Sequence, residues 1–232
     1  MAEPELTLYI ARHGQSKGNC GEWLNMPDEL AEDPPLTEKG ERQAVLLGEY
    51  WADYPLDCIL TSGLHRALCT ACEVASRQPE NGARTVEVHK IFSECEIKDT
   101  CPGRTIDEIK KDYPLAVCAE GADPGECVIW HSHGASDEEH LVRGKAALDY
   151  IRSRFHNGEK VMVVAHGALN TFLMYAALGL PATNAFDPSF HNTGVTKIVF
   201  YGKGEGAYAD IDLVYHNTVP HLVGEMPEFK YK

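Results

Sequence analysis

LYIARHG at residues 8–14 and VMVVAHG at 161–167 decide the fold of this chain. Each is a short apolar, β-prone run that stops abruptly at His-Gly, as expected of a buried strand entering a loop. In open α/β sheets, ligands bind at the carboxyl ends of strands. Two imidazoles, His13 and His166, delivered to one such rim can share a reactive centre. The first run also places Arg12 directly before its histidine and Asn19 six residues after it.

Outward from these runs, strands and helices alternate. Leu6–Ala11 reads as the first strand, and Gly14 to Pro35, rich in Gly, Asn, Asp and Pro, as a loop. Thr37 caps a helix whose apolar face carries Ala44, Leu47 and Tyr50/Trp51. Leu56–Thr61 is a second strand, followed by a helix over Leu64–Ser76 and a short strand over Thr85–His89. From about 92 to 140 the chain is irregular, with one short helix near Ile106–Asp112; loops of that length are usually functional. A helix over Ser136–Phe155, a strand over Lys160–Ala165 and a helix over Asn170–Leu178 restore the alternation. Val195–Tyr201 and Ala207–Tyr215 close it as a hairpin around GKGEG, which is no phosphate loop because no helix follows. The pattern predicts a single α/β domain over residues 1–232, a three-layer α/β/α sandwich. Its sheet is mostly parallel, made mixed by the hairpin, with the 92–140 segment as a cap insertion over the carboxyl rim.

The composition narrows the partners. Of 232 residues, 35 are acidic and 21 basic, a formal net charge of −14. That argues against a nucleic-acid surface, which wants a basic face. An anion site here must be local, built from a few placed cations. No stretch approaches the roughly 20 apolar residues of a membrane span, and the start lacks a signal-like pattern. The expected address is cytoplasmic, with no membrane partner and with the eight cysteines as reduced thiols.

Arg12-His13-Gly14-Gln15-Ser16-x-x-Asn19 is the sharpest constellation. A neutral imidazole fixed where a strand breaks is a competent nucleophile. Arginine offers a planar fork suited to phosphate oxygens. Ser62-Gly63-Leu64-His65-Arg66-Ala67 adds a second cation, Arg66, in the first turn of a helix at the same rim. Any one of these residues alone would read as an ordinary exposed strand end or solvated helix arginine. Their convergence after successive strands is what points to a small anionic substrate.

The whole pattern resembles the histidine phosphatase superfamily, in its phosphoglycerate mutase-like branch. It runs R-H-G-x-[ST]-x-x-N, then a strand followed by S-x-L-x-R-A, then L-x-E, then a strand ending in H-G. Here these are residues 12–19, the segment around Arg66, Ile91-Phe92-Ser93-Glu94, and His166-Gly167. Pro35-Leu36-Thr37-x-x-Gly40 and Asn217-x-x-x-His221-Leu222 extend the resemblance over nearly the whole chain. It implies a phosphoglycerate mutase-like fold and a phosphohistidine formed on His13. Arg12, Asn19, Arg66, His166 and Gly167 would hold the phosphoryl group, and Glu94, with Glu96 as its rival, would give the leaving oxygen its proton. The implied activity is hydrolysis of small phosphorylated metabolites. The alternatives are a phosphoglycerate mutase using a 2,3-bisphosphoglycerate primer, and a non-catalytic module that binds a phosphorylated ligand. Two departures bear on the substrate: Lys98 stands where the family often has glycine, and Gly134-Ala135-Ser136 replaces a frequent Gly-Glu-Ser.

His131-x-His133 and Cys69-x-x-Cys72 invite a zinc reading. Cys69 and Cys72 sit among alanines on one helix, however, where small thiols pack as hydrophobes, and no second Cys-x-x-Cys partners them. His131 and His133 are better candidates for substrate contact from the cap, and neither metal nor other cofactor is expected. Accordingly, EDTA should leave phosphatase activity unchanged; loss on chelation, restored by zinc, would reverse this assignment.

Overall fold

A computed structural model of the chain describes residues 3–21, 32–183, 186–203 and 210–226. Seven strands form one sheet, numbered in chain order: β1 (Pro4–Arg12), β2 (Cys58–Thr61), β3 (Val86–Val88), β4 (Ala116–Cys118), β5 (Glu159–Ala165), β6 (Val195–Tyr201) and β7 (Ile211–Thr218). Across the sheet the order is β4-β3-β2-β5-β1-β6-β7. The first five are mutually parallel, and β6 and β7 add an antiparallel edge. Among the described residues five α-helices accompany them: α1 (Glu38–Trp51), α2 (His65–Arg77), α3 (Ile106–Asp112), α4 (Asp137–Arg154) and α5 (Gly167–Leu178).

The alternation of side chains along a strand builds the layers. From β1, Leu6, Leu8 and Ile10 pack with Ala147, Leu148 and Ile151 of α4 and with Leu169 and Leu173 of α5. Tyr9 and Ala11 turn the other way, onto Leu47 and Trp51 of α1 and Ala71, Val74 and Ala75 of α2. Strand β5, buried on both faces like β1, follows the same parity: Val161 and Val163 go to the first cluster and Met162 and Val164 to the second. That double burial is why both stretches read as continuous apolar runs. The three-layer expectation is met.

Connectivity then creates the site. From β1 the chain moves through α1 to β2, beyond β5, and from β5 it moves through α5 to β6, on the opposite side of β1. The crevice between the carboxyl ends of β1 and β5 is therefore a switch point, where such sheets hold ligands. His13 and His166 are the residues that follow those two strands.

Several expected boundaries shift. Helix α5 begins at Gly167 rather than Asn170, with His166 at its N-cap position. The last strand is Ile211–Thr218 rather than Ala207–Tyr215, and 207–209 lie outside the described residues. The 92–140 segment is not wholly irregular: Ala116–Cys118 pairs parallel with β3 and extends the sheet. Three edge residues between Pro114 and Ala119, one buried and two half-buried, give too short a run to stand out as periodicity. Part of the remainder packs at the carboxyl end of β2. Its Ile97, Cys101 and Ile129 cluster with Leu64, and Val128 lies against Gly63, just after β2.

No helix among the described residues is long and apolar enough to cross a membrane. All eight cysteines are free thiols.

The loop after His13 lies backbone to backbone on the start of α1. A Cβ on Gly40 would fall 1.9 Å from the Gln15 carbonyl oxygen. Thr37 caps α1 through Gly40 N–H at 3.0 Å while its hydroxyl donates to Gln15 Oε1, also at 3.0 Å. Gly40→Ala should therefore force loop and helix apart and lower unfolding free energy by about 1–3 kcal/mol. Denaturant titration against Gly125→Ala, where a Cβ meets only ordinary contact, checks this. Equal midpoints for the two variants would contradict it.

Candidate active site

The end of β1 is fixed from three directions before its side chains are placed. His13 N–H donates to Ala165 O (3.0 Å), Thr193 N–H to Arg12 O (3.0 Å), and the Asn192 amide to His13 O (3.0 Å). Asn170 of α5 donates to Ala11 O at 3.1 Å. Gly14 N–H, the next donor, reaches Thr70 Oγ1 at 3.0 Å. The backbone that carries Arg12 and His13 is thus as constrained as the core beneath it.

His13 is almost wholly buried. Its Nδ1 lies 2.6 Å from Gly14 O, an acceptor only, so Nδ1 carries the proton and donates. Nε2 keeps its lone pair. Burial, then the charges of Arg66 and Arg12, push the ring's pKa well below the ordinary histidine value. At neutral pH the imidazole is uncharged, the state a nucleophile needs.

His166 lies beside it, ring centroids 5.2 Å apart. Its Nε2 is 2.6 Å from Ser62 Oγ. That hydroxyl accepts from Leu64 N–H at 3.3 Å and has its own proton to give; in the tautomer with Nε2 unprotonated it donates to that ring nitrogen. The ring proton of His166 then sits on Nδ1, which is buried without a partner. Burial and the nearby charge of Arg66 hold this ring neutral too. One histidine offers a lone pair and its neighbour offers an N–H.

Arg12 is anchored through Nη1 to Phe190 O at 2.7 Å and leaves Nε buried and unpartnered. It lies over Gly167, whose notional Cβ would sit 3.6 Å from Arg12 Nε. Arg66 is set by Asp33: Nη1 stands 3.6 Å from Oδ1, a charge contact too long for a hydrogen bond. Asp33 also accepts from His65 N–H at 3.0 and 3.1 Å, tying the start of α2 to the loop before α1. Two guanidinium groups and one imidazole thus present unpaired donors, Arg12 Nε, Arg66 Nη1 and His166 Nδ1. Such a set is matched to a tetrahedral oxyanion.

Glu94 follows a 3-10 turn over Lys90–Phe92. Its Oε1 accepts from Cys95 N–H (2.9 Å) and from Leu169 N–H (3.1 Å) in the first turn of α5. The second carboxylate oxygen remains for proton transfer, and the charge of Glu94 bears on Arg12. Glu96, its rival, turns away: with φ at +60° it engages Gly134 N–H, His133 and His140. The two acids are thus held apart, Glu94 on the first turn of α5 and Glu96 on the 133–140 stretch.

The other expected residues fall unevenly. Asn19 is exposed, and its Oδ1 accepts from Ser16 N–H (3.2 Å) and the Asn192 amide (3.1 Å), which leaves Nδ2 as its remaining donor. His131 and His133 are exposed on the cap; His131 donates to Cys101 O at 2.8 Å and His133 pairs with Glu96. Neither hydrogen-bonds to His13, His166 or Glu94. Cys69 and Cys72 are half-buried thiols raised to about 11 and about 12 by burial. Among the described residues no group of three or more His, Cys, Asp or Glu side chains could hold a metal ion.

Ser62, Thr70, Asn192 and Asp33 were not among the expected site residues. Ser62 stands inside the motif around Arg66 and was legible as its first letter. The others act through backbone groups or across long sequence separations, which leave no local signal.

Comparison with known proteins identifies the family of the chain. The model of the histidine phosphatase superfamily (branch 1) matches residues 8–209. Phosphoserine phosphatase 1 of Hydrogenobacter thermophilus is 29% identical over 175 residues, 75% of this chain and 76% of that protein. A probable phosphoglycerate mutase of Photorhabdus laumondii is 29% identical over 183 residues, covering 76% and 77%. Among solved structures, a mycobacterial glucosyl-3-phosphoglycerate phosphatase superposes with TM-score 0.63 at 26% identity, covering 94% of this chain and 100% of that one.

Behind the site, Thr193 (φ +57°) donates its hydroxyl to Asn192 O and accepts from His221 Nε2–H at 2.9 Å. Burial lowers His221 from 6.5 to about 4. Below pH ~6.5 the unfolded chain takes up a proton that this folded ring refuses. Stability should therefore be highest above pH ~6.5 and fall toward pH ~4, by about 3 kcal/mol from His221 alone. His13 and His166 add to the fall with the same sign. Thermal melts between pH 7.5 and 4.5 check this, and His221→Gln should flatten the profile; an unchanged slope would count against it.

Proposed function

The chain belongs to the histidine phosphatase superfamily, branch 1, and is a phosphomonoester hydrolase of that type; we propose that its turnover runs through a phosphohistidine on His13. The observation that carries this reading is the pairing of a neutral, tautomer-fixed His13 with unspent donors on Arg12, Arg66 and His166. A substrate phosphoryl group fits among those donors. The lone pair of His13 Nε2 attacks phosphorus, the P–O bond to the alcohol breaks, and Glu94 gives its proton to the departing oxygen.

Charge in the transition state concentrates on the phosphoryl oxygens, where two guanidinium groups and the His166 N–H meet it without reorganisation. Asn19 Nδ2 and the first N–H groups of α5, from Gly167 onward, add donors on the same oxygens. Glu94, now a carboxylate, takes a proton from water, which attacks phosphorus and releases inorganic phosphate with His13 restored. Arg12 and Arg66 supply the positive charge that the step requires. Residues 92–140 serve as the cap that excludes bulk water and shapes the space for the alcohol. The substrate is a small phosphorylated metabolite.

A steady-state panel of phosphomonoesters that includes 3-phosphoglycerate tests the proposal, scoring both free phosphate and 2-phosphoglycerate. Phosphate release is expected, with a loss of at least about 10⁴-fold for His13→Ala and about 10²–10⁴-fold for Glu94→Gln. Isomer formation with little phosphate would instead assign a mutase. Unchanged activity in His13→Ala would remove the nucleophile.

A further inference from the structure

A cavity of about 520 Å³ opens where the end of α1 meets the start of β6, the end of β7 and residues 219–223. Its wall is largely aromatic, from Tyr50, Trp51, Tyr215 and His221. Among the described residues no lysine, arginine, aspartate or glutamate lines it, and neither does any residue of the phosphoryl pocket.

Two of these side chains carry polar atoms that no described residue satisfies. Trp51 is 4% exposed, and its indole Nε1–H, a donor only, is buried without a partner. His221 is 7% exposed, and its Nδ1 is equally unpartnered. Thr193 decides the tautomer of that ring. Its hydroxyl gives its one proton to Asn192 O at 2.7 Å, so at 2.9 Å it accepts from His221 Nε2–H. Nδ1 therefore keeps a lone pair, and burial keeps the ring neutral by lowering its pKa to about 4. The cavity wall thus holds one unspent donor and one unspent acceptor. Buried polar groups without a partner are costly and rare, and in the phosphoryl pocket the same signature marks a ligand site. Tyr50, 42% exposed, borders both groups, its ring centroid 6.2 Å from that of Trp51 and 6.0 Å from that of His221. As the exposed ring it can swing into solvent and uncover them.

We propose that this cavity binds an uncharged planar heteroaromatic molecule of lactam type, one whose ring edge carries both a C=O and an N–H. The carbonyl accepts from Trp51 Nε1–H, the ligand N–H donates to His221 Nδ1, and the aromatic walls flank the ring. A charged ligand would lose its hydration with no counter-charge to replace it. A purely apolar ring would fill the space and leave both polar atoms unsatisfied. The volume is that of a small-molecule site and accommodates two fused rings. The site is separate from the phosphoryl pocket and does not depend on the phosphatase reading.

Calorimetric titration of the full chain with quinolin-2-one and with N-methylquinolin-2-one tests the site. Quinolin-2-one should bind saturably at one site, and the N-methyl compound, which cannot donate to His221, about 10-fold more weakly. Trp51→Phe keeps a ring and removes the N–H, and should weaken quinolin-2-one by a similar factor. Val223→Trp fills the cavity while leaving both polar atoms in place, and should abolish binding. Absence of saturable binding at the solubility limit of quinolin-2-one, equal affinities for the two compounds, or an unchanged affinity in Trp51→Phe overturns the proposal. Should Trp51→Phe fail to fold, Val223→Trp decides alone: binding lost supports the site, and binding at wild-type affinity overturns it.

Discussion

Everything in this active site depends on one short hydrogen bond, from His13 Nδ1–H to the carbonyl of its own neighbour Gly14 at 2.6 Å. It fixes which nitrogen holds the proton and points the other at the pocket. The bond can exist only because the strand end is immobilised by Ala165, Thr193 and Asn192 and because Gly14 lies tight against Gly40. A looser chain would let the ring turn and present the wrong nitrogen. The central strands, buried on both faces, are in this sense a mounting for one imidazole.

The second constraint is charge. An acidic protein with a formal charge of −14 must hold an anion with few cations, and it does so by burying them. Burial raises the cost of leaving a guanidinium unpaired, and the energy is recovered when a phosphoryl group arrives. Asp33 holds Arg66 in place without a hydrogen bond that would consume its donors. The same positive field keeps His13 and His166 neutral, so cation placement and nucleophile activation are one arrangement.

The phosphoryl pocket was largely legible in the sequence because its parts sit at strand ends, where apolar runs stop at conspicuous polar residues. Arg12-His13, Arg66 and His166 all announce themselves this way. Glu94 does not; its proposed role over Glu96 comes from the family motif, and the two residues differ in that Glu94 accepts from Leu169 N–H while Glu96 sits in a left-handed turn. Strand β4 escaped notice because three edge residues carry no periodicity, and Asp33 because it reaches Arg66 from a loop 33 residues away. Arg143 was hidden for a different reason. On a helix with three acidic residues in its first turn, an arginine reads as a solvated partner, and only the packing shows it buried against Cys95.

On the proposed mechanism His13 Nε2, and no other atom, takes the phosphoryl group. Rapid denaturing quench at alkaline pH during turnover, followed by digestion and 31P NMR against both phosphohistidine isomers, reads that atom directly. A single phosphopeptide containing His13, phosphorylated on Nε2, is expected. Phosphate on Nδ1 would contradict the fixed tautomer, and phosphate on any other residue would contradict the assignment of the nucleophile.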